Sequence, residues 1–166
     1  MNDQDVRKSL IAGGVPGDDL DARPSNQIGS FSSLCDPQGA EALGRDMAEA
    51  FGVHRPTLVV VWEDIENNVL AYIVARALGV KALRVIDASG VLDYEGAFGS
   101  DDRVVIVADA FRSEFSINAM RALTEQHGAR LVAFGALMST PALLNAAGET
   151  AMTTLWPSAS KESPTS

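Results

Sequence analysis

The chain is predicted to be an α/β protein with a parallel sheet sandwiched between helices. Three observations carry this. Two short runs, Thr57–Trp62 and Val104–Val107, are apolar throughout, as strands buried on both faces must be. Stretches with apolar residues at helical spacing follow each of them: Val69, Leu70, Ile73, Val74 and Ala77, then Ile117, Met120 and Leu123. Strands that alternate with helices pair in parallel, because each crossover returns the chain to the same end of the sheet.

The elements follow in order. Asp5–Ala12 predicts a short helix with Val6 and Leu10 inward, ended by Gly13-Gly14. From Val15 to Asn26 the composition is that of a loop. Ile28–Leu34 alternates and reads as a short edge strand. Asp36 is a good helix N-cap and Pro37 suits the first helical position, so a helix carries Leu43, Met47, Ala50 and Phe51 on one side and stops at Gly52. After the strand at Thr57 and its helix, Gly79 is the terminator. Val80–Ile86 is the next strand, and Val91–Tyr94 a hairpin strand within a Gly/Asp-rich segment. The helix after Val104–Val107 ends at His127-Gly128. Arg130–Met138 is a strand, Thr140–Ala146 a short helix, and Ala151–Leu155 the last strand. One domain over residues 1–157 and a polar, disordered tail over 158–166 are expected.

Composition excludes several classes. Hydrophobic residues make up 46% of the chain, too many for disorder. With 13 basic and 22 acidic residues the net charge is −9, and no basic run exists, so nucleic acid and anionic membranes are not expected partners. Cys35 stands alone, which removes an intrachain disulfide and a cysteine metal cluster; it reads as a small buried hydrophobe. No apolar run reaches membrane-spanning length and no signal-peptide core is present, so a cytoplasmic location is the expectation. Neither a G-x-G-x-x-G nor a G-x-S-x-G pattern occurs.

Ligands of an open parallel sheet bind at the carboxyl ends of its strands. Two such ends stand out. One is Trp62 to Asn68, with Glu63, Asp64, Glu66 and Asn67. The other is Asp109 to Ser116, a short loop of Ala110, Phe111, Arg112, Ser113 and Glu114 that leads through Phe115 and Ser116 into a helix. Strand, loop and helix N-terminus together can hold a phosphate, because free backbone N–H groups and the helix dipole point out of the loop. The plainer reading is a helix start with Ser113 as cap and Glu114 complementing the dipole. The first loop reads either as a solvated acidic turn or as a cation site built from its carboxylates. Trp62 serves either as a stacking surface for a base or as a core anchor, and His54 and His127 read as surface or capping residues.

The run Val104-Val105-Ile106-Val107-Ala108-Asp109-Ala110-Phe111, with its hydroxyl-bearing loop and following helix, resembles the phosphoribosyl-pyrophosphate (PRPP) motif of type I phosphoribosyltransferases. Ser33-Leu34-Cys35-Asp36-Pro37, Ala75-Arg76-Ala77-Leu78-Gly79-Val80 and Gly128-Ala129-Arg130-Leu131-Val132 stand in the order used by the orotate branch. The resemblance implies a three-layer sandwich with a small N-terminal hood, and a dimer of like chains or a pairing with a paralogue. It implies Asp109 on the ribose, Ser113 and Ser116 on the 5′-phosphate, and Mg²⁺ wherever PRPP binds.

The chemical positions depart from the pattern. Ala108 replaces the first acid, Glu114 falls on the loop glycine, and Glu66-Asn67 fall on the glycine pair that admits pyrophosphate. Like charges about 4 Å apart repel by about 4 kcal/mol at an effective dielectric of 20. The span of the mobile catalytic loop, Asp87–Asp102, contains no Lys or Arg. The expectation is therefore a non-catalytic nucleotide- or phosphate-binding or regulatory subunit, with no catalytic residue or metal ligand assigned. Two alternatives stand beside it: a divergent transferase that borrows positive charge from Arg84, Arg103 or a neighbouring subunit, and a structural partner of an active paralogue.

Overall fold

A computed structural model describes residues 1–157; the expected tail lies outside the described residues. Six strands form one sheet in the order β3-β2-β1-β4-β5-β6. They are β1 (Leu58–Trp62), β2 (Lys81–Ala88), β3 (Val91–Glu95), β4 (Arg103–Ala108), β5 (Arg130–Met138) and β6 (Ala151–Trp156). All neighbours pair in parallel except β2 and β3. The helices are α1 (Asp3–Ala12), α2 (Gly17–Asp21), α3 (Pro37–Phe51), α4 (Ile65–Leu78), α5 (Glu114–Gln126) and α6 (Pro141–Ala146).

Alternation along the central strands builds two cores. Val59, Val61, Val105 and Val107 face α1, α3 and α4, where Leu43, Met47 and Phe51 meet them. Leu58, Val60, Val104 and Ile106 face α5 and α6, with Ile117, Met120 and Phe134. The apolar runs are continuous because both faces are covered there. Helices α3 and α4 cross closely at Gly44, where a Cβ would lie 2.4 Å from Ile73 Cγ2.

Several local expectations hold. Asp36 caps α3 through the Gly39 N–H, and Gly79 ends α4 in the left-handed conformation. Others are corrected. Gly17–Asp21 is a short helix inside the expected loop. Ile28–Leu34 is not a strand, because its backbone N–H groups bond to the side chains of Asp19 in α2, Asp109 after β4 and Glu66 in α4 rather than to a neighbouring strand. Helix α4 begins at Ile65, so Glu66 and Asn67 lie in its first turn rather than in a loop. Ser113 occupies the N-cap position of α5 without a side-chain cap bond. Cys35 is exposed rather than buried.

Much of the span Asp87–Asp102, where the resemblance places a mobile loop, is taken up by a β-hairpin. β2 and β3 are joined by Ser89-Gly90 alone, with φ of 57° and 85°, the two-residue turn that suits the twist of a hairpin. Beyond β3, Phe98 stacks on His127 at 4.8 Å and Tyr94 meets both rings edge-on.

Asp102 ties the base of this segment, accepting from the Thr57 hydroxyl and the Gly99 N–H. Partial burial pushes its carboxyl up, but those two donors and Lys81 outweigh burial and hold it below the ordinary 3.8. A depressed folded value adds stability that is complete above the unfolded value and is lost as pH falls through the folded one. Asp102→Asn is therefore expected to flatten the stability–pH curve below about pH 4, measured by urea unfolding across an acid series.

Candidate functional site at the sheet switch point

Strand order runs outward in opposite directions from β1 and β4, so the loops that follow these two strands face each other across the switch point. Both expected ligand loops lie there. The hood segment 26–33 lies against them, and their side chains bind its backbone.

Asp109 directly follows β4 and is 4% exposed. Its carboxylate accepts from the Phe31 N–H at 3.2 Å, from the Ala110 N–H at 2.6 Å, and from Arg112 through Nη1 at 2.9 Å and Nη2 at 3.0 Å. Four donors fill the acceptor sites of a carboxylate. Arg112 is equally committed. Nε donates to the Ile28 carbonyl at 3.2 Å, Nη2 also to Gly29 at 3.3 Å, and Nη1 also to Ala110 at 3.1 Å. With the two bonds to Asp109, all five guanidinium N–H donors are taken.

The first turn of α4 supplies a second tie. Glu66 accepts from the Ser32 hydroxyl at 3.0 Å and the Ser33 N–H at 2.8 Å. Asn67 accepts from the Asp109 N–H at 2.8 Å, joining the two loops. Of the two residues that stand where the resemblance places a glycine pair, Glu66 thus holds the hood and Asn67 holds the end of the Asp109 loop.

The remaining expected site residues diverge. Glu63 pairs with Arg84 at 3.3 Å, and Asp64 caps α4 through the Glu66 and Asn67 N–H groups. With Glu66 turned to the hood, these three acids do not converge, and among the described residues no group of three or more His, Cys, Asp or Glu is poised for a metal ion. The cation-site reading of this loop is corrected accordingly. The Asp109 oxygens are filled by four N–H donors and each Glu66 oxygen is turned to a donor of the hood, so the residues present do not gather carboxylate oxygens around a Mg²⁺ ion. Phe111 is buried against Phe134, and its carbonyl accepts from the Thr140 hydroxyl. Ser116 donates to the Ser113 carbonyl at 3.0 Å. Glu114 is turned out of the loop, accepting from Asn145 on α6 at 3.0 Å, and Phe115 is 70% exposed. Trp62 packs partly buried against the α5–α6 core.

The cations required by a divergent transferase are elsewhere. Arg84 bridges Glu63 and Glu95. Arg103 opens β4, at the opposite end of the sheet from Asp109, and donates to the His54 carbonyl. Sequence reasoning missed Ile28, Gly29, Phe31, Ser32 and Ser33 as members of the site. No local pattern marks them, since Arg112 lies 84 positions from Ile28, Asp109 lies 78 from Phe31 and Glu66 lies 33 from Ser33.

No family model and no curated protein matches the sequence. Solved structures match it well. The orotate phosphoribosyltransferase of Mycobacterium tuberculosis, solved with inorganic phosphate, superposes with a TM-score of 0.70 at 14% identity, over 93% of this chain and 88% of that one. The adenine phosphoribosyltransferase of Saccharomyces cerevisiae gives 0.67 at 19% identity, over 92% and 98%. That of Thermoanaerobacter pseudethanolicus gives 0.63 at 18%, over 73% and 81%. Among the described residues no helix is long and apolar enough to cross a membrane. At such low identity the likeness speaks for architecture, and with the six-strand order and the paired loops at the switch point it shows that this chain has the type I phosphoribosyltransferase fold.

Proposed function

We propose that this chain is a phosphoribosyltransferase-fold subunit that does not transfer phosphoribosyl groups and acts as a binding or regulatory protein. The observation that carries this reading is the saturation of Asp109 and Arg112 by each other and by the hood backbone. A ribose would need the Asp109 oxygens, and a phosphate would need Arg112 donors; both sets are taken. Glu66 adds a carboxylate where leaving pyrophosphate would have to be stabilised, and electrostatic stabilisation of developing charge is usually the largest catalytic effect. The Ser89-Gly90 turn is too short to fold over the site. A single phosphate has a narrower opening, at the first-turn amides of α5, from which the Glu114 carboxylate is turned away.

Calorimetric titration of the intact protein with PRPP and Mg²⁺ tests the reading. No heat of binding is expected at millimolar ligand, and no nucleotide is expected when adenine or orotate is supplied with PRPP. Micromolar binding of PRPP, or turnover with either base, overturns it.

A further inference from the structure

Two adjoining cavities lie between α2 and the hood, and Asp19, Ala22 and Ile28 line both. Neither is lined by Asp109, Arg112 or Glu66. The inner one, of about 110 Å³, has apolar walls from Leu20, Ile28 and Trp156 and reaches Ser139, just after β5. The outer one, of about 230 Å³, is lined by the exposed Arg23. Their frame is fixed. The Trp156 indole N–H donates to the Leu20 carbonyl at 3.0 Å, and the Ser139 N–H to the Trp156 carbonyl at 2.8 Å. Apolar walls with a few placed polar groups are the usual make-up of a small-molecule site.

The polar groups here are unspent. Ser139 is 8% exposed, yet its hydroxyl has no hydrogen-bond partner among the described residues. No wholly enclosed side-chain N or O among those residues lacks a partner, so this hydroxyl opens on the cavity. Asp19 commits Oδ2 to the Gly29 N–H at 2.9 Å and keeps Oδ1 free. Arg23 lines the same cavity as Asp19, but among the described residues neither has an ion-pair partner, and they do not pair with each other. Opposite charges that share a cavity without meeting suit a ligand that carries both. A bare cation leaves Arg23 unanswered, and a bare anion leaves Asp19 so. An α-amino acid answers all three groups: its ammonium donates to Asp19 Oδ1 and the Ser139 hydroxyl, and its carboxylate takes the Arg23 guanidinium. Its side chain then lies against Leu20, Ile28 and Trp156. The inner volume of about 110 Å³ equals the liquid share of about four waters, so it admits a side chain of about four heavy atoms. Leucine, isoleucine and methionine meet that limit, and the aromatic side chains exceed it.

We infer that the cavities beside α2 bind a free α-amino acid with an aliphatic side chain of leucine size. This names a ligand for the binding role proposed above, through residues other than Asp109, Arg112 and Glu66. Calorimetric titration of the intact chain with L-leucine is expected to show micromolar binding. Isocaproate, which lacks the ammonium, and leucinamide, which lacks the carboxylate, are each expected to bind at least about tenfold more weakly, since each loses charge-assisted hydrogen bonds. Arg23→Gln, at an exposed position, and Asp19→Asn, which keeps an oxygen for the Gly29 N–H, are each expected to weaken leucine by at least about tenfold with unchanged far-UV circular dichroism. Ser139→Ala, which removes one neutral acceptor, is expected to cost about threefold. Silence with leucine, isoleucine and methionine at millimolar concentration overturns the inference. So does equal binding of isocaproate or leucinamide, leucine binding unmoved in both charge variants, or adenine or orotate binding more tightly than leucine. A silent leucine titration leaves the functional reading standing, and PRPP binding beside a positive one overturns only that reading.

Discussion

Asp109→Ala is expected to lower the unfolding free energy by about 3 kcal/mol, measured by equilibrium urea denaturation. Truncating one partner of a buried ion pair typically costs about 3–5 kcal/mol, because the other charge stays behind uncompensated. The lower figure applies here, since the Arg112 side chain is 31% exposed and retains some hydration. The Phe31 and Ala110 N–H groups also lose their acceptor, and an unsatisfied buried donor costs about 1–3 kcal/mol where water cannot reach it. Against a total domain stability of about 5–15 kcal/mol, this is a large part. Arg112→Ala should cost less, because Asp109 keeps two backbone donors. The double variant should cost less than the sum of the singles, with a coupling of about 1–3 kcal/mol. A loss under about 1 kcal/mol for Asp109→Ala would mean that water enters the pair freely and that the hood is not held there.

The sheet was legible because its evidence is local. Val104–Val107 and Thr57–Trp62 are apolar without interruption, and Asp36-Pro37 and Gly79 mark helix ends through their own backbone preferences. The departures at Glu66, Asn67 and Glu114 were legible as chemistry that does not suit an anion, but not as what these residues do instead. Glu66 and Asn67 are read from sequence as a repulsive loop; in the fold they are acceptors for Ser32, Ser33 and Asp109. That role needs the hood segment brought next to α4, a pairing of distant stretches that no periodicity encodes. The same absence explains Ile28–Leu34. Its alternation of apolar and small residues reads as a strand, yet Ile28 and Phe31 are buried while the backbone between them serves side-chain partners. Arg112 was visible as a member of the candidate phosphate loop, and only the geometry shows all of its donors spent.

Phe31→Ala is expected to cost about 3–4 kcal/mol, the range for truncating a buried phenylalanine. Phe31 is 3% exposed, and its ring lies so close over Gly13 that a Cβ there would fall 2.2 Å from the ring. This is an apolar anchor for the same segment that Asp109, Arg112 and Glu66 hold by polar bonds, and the Ser32 N–H adds a bond to the Gly13 carbonyl at 2.7 Å. Hydrogen exchange separates the two anchors. If they act as one cooperative unit, the amides of Phe31, Ser32 and Ser33 gain exchange in Phe31→Ala and in Asp109→Ala alike, with the urea midpoint falling in both. If packing alone holds the hood, Phe31→Ala frees these amides while Asp109→Ala leaves them protected. The second result would remove the physical basis for a closed site: a hood held only by its ring leaves Asp109 and Arg112 free to exchange each other for a ligand. The first would mean that opening the site requires breaking apolar and ionic contacts together. No ligand of ordinary affinity offsets that loss, since even a thousandfold excess over Kd supplies about 4 kcal/mol.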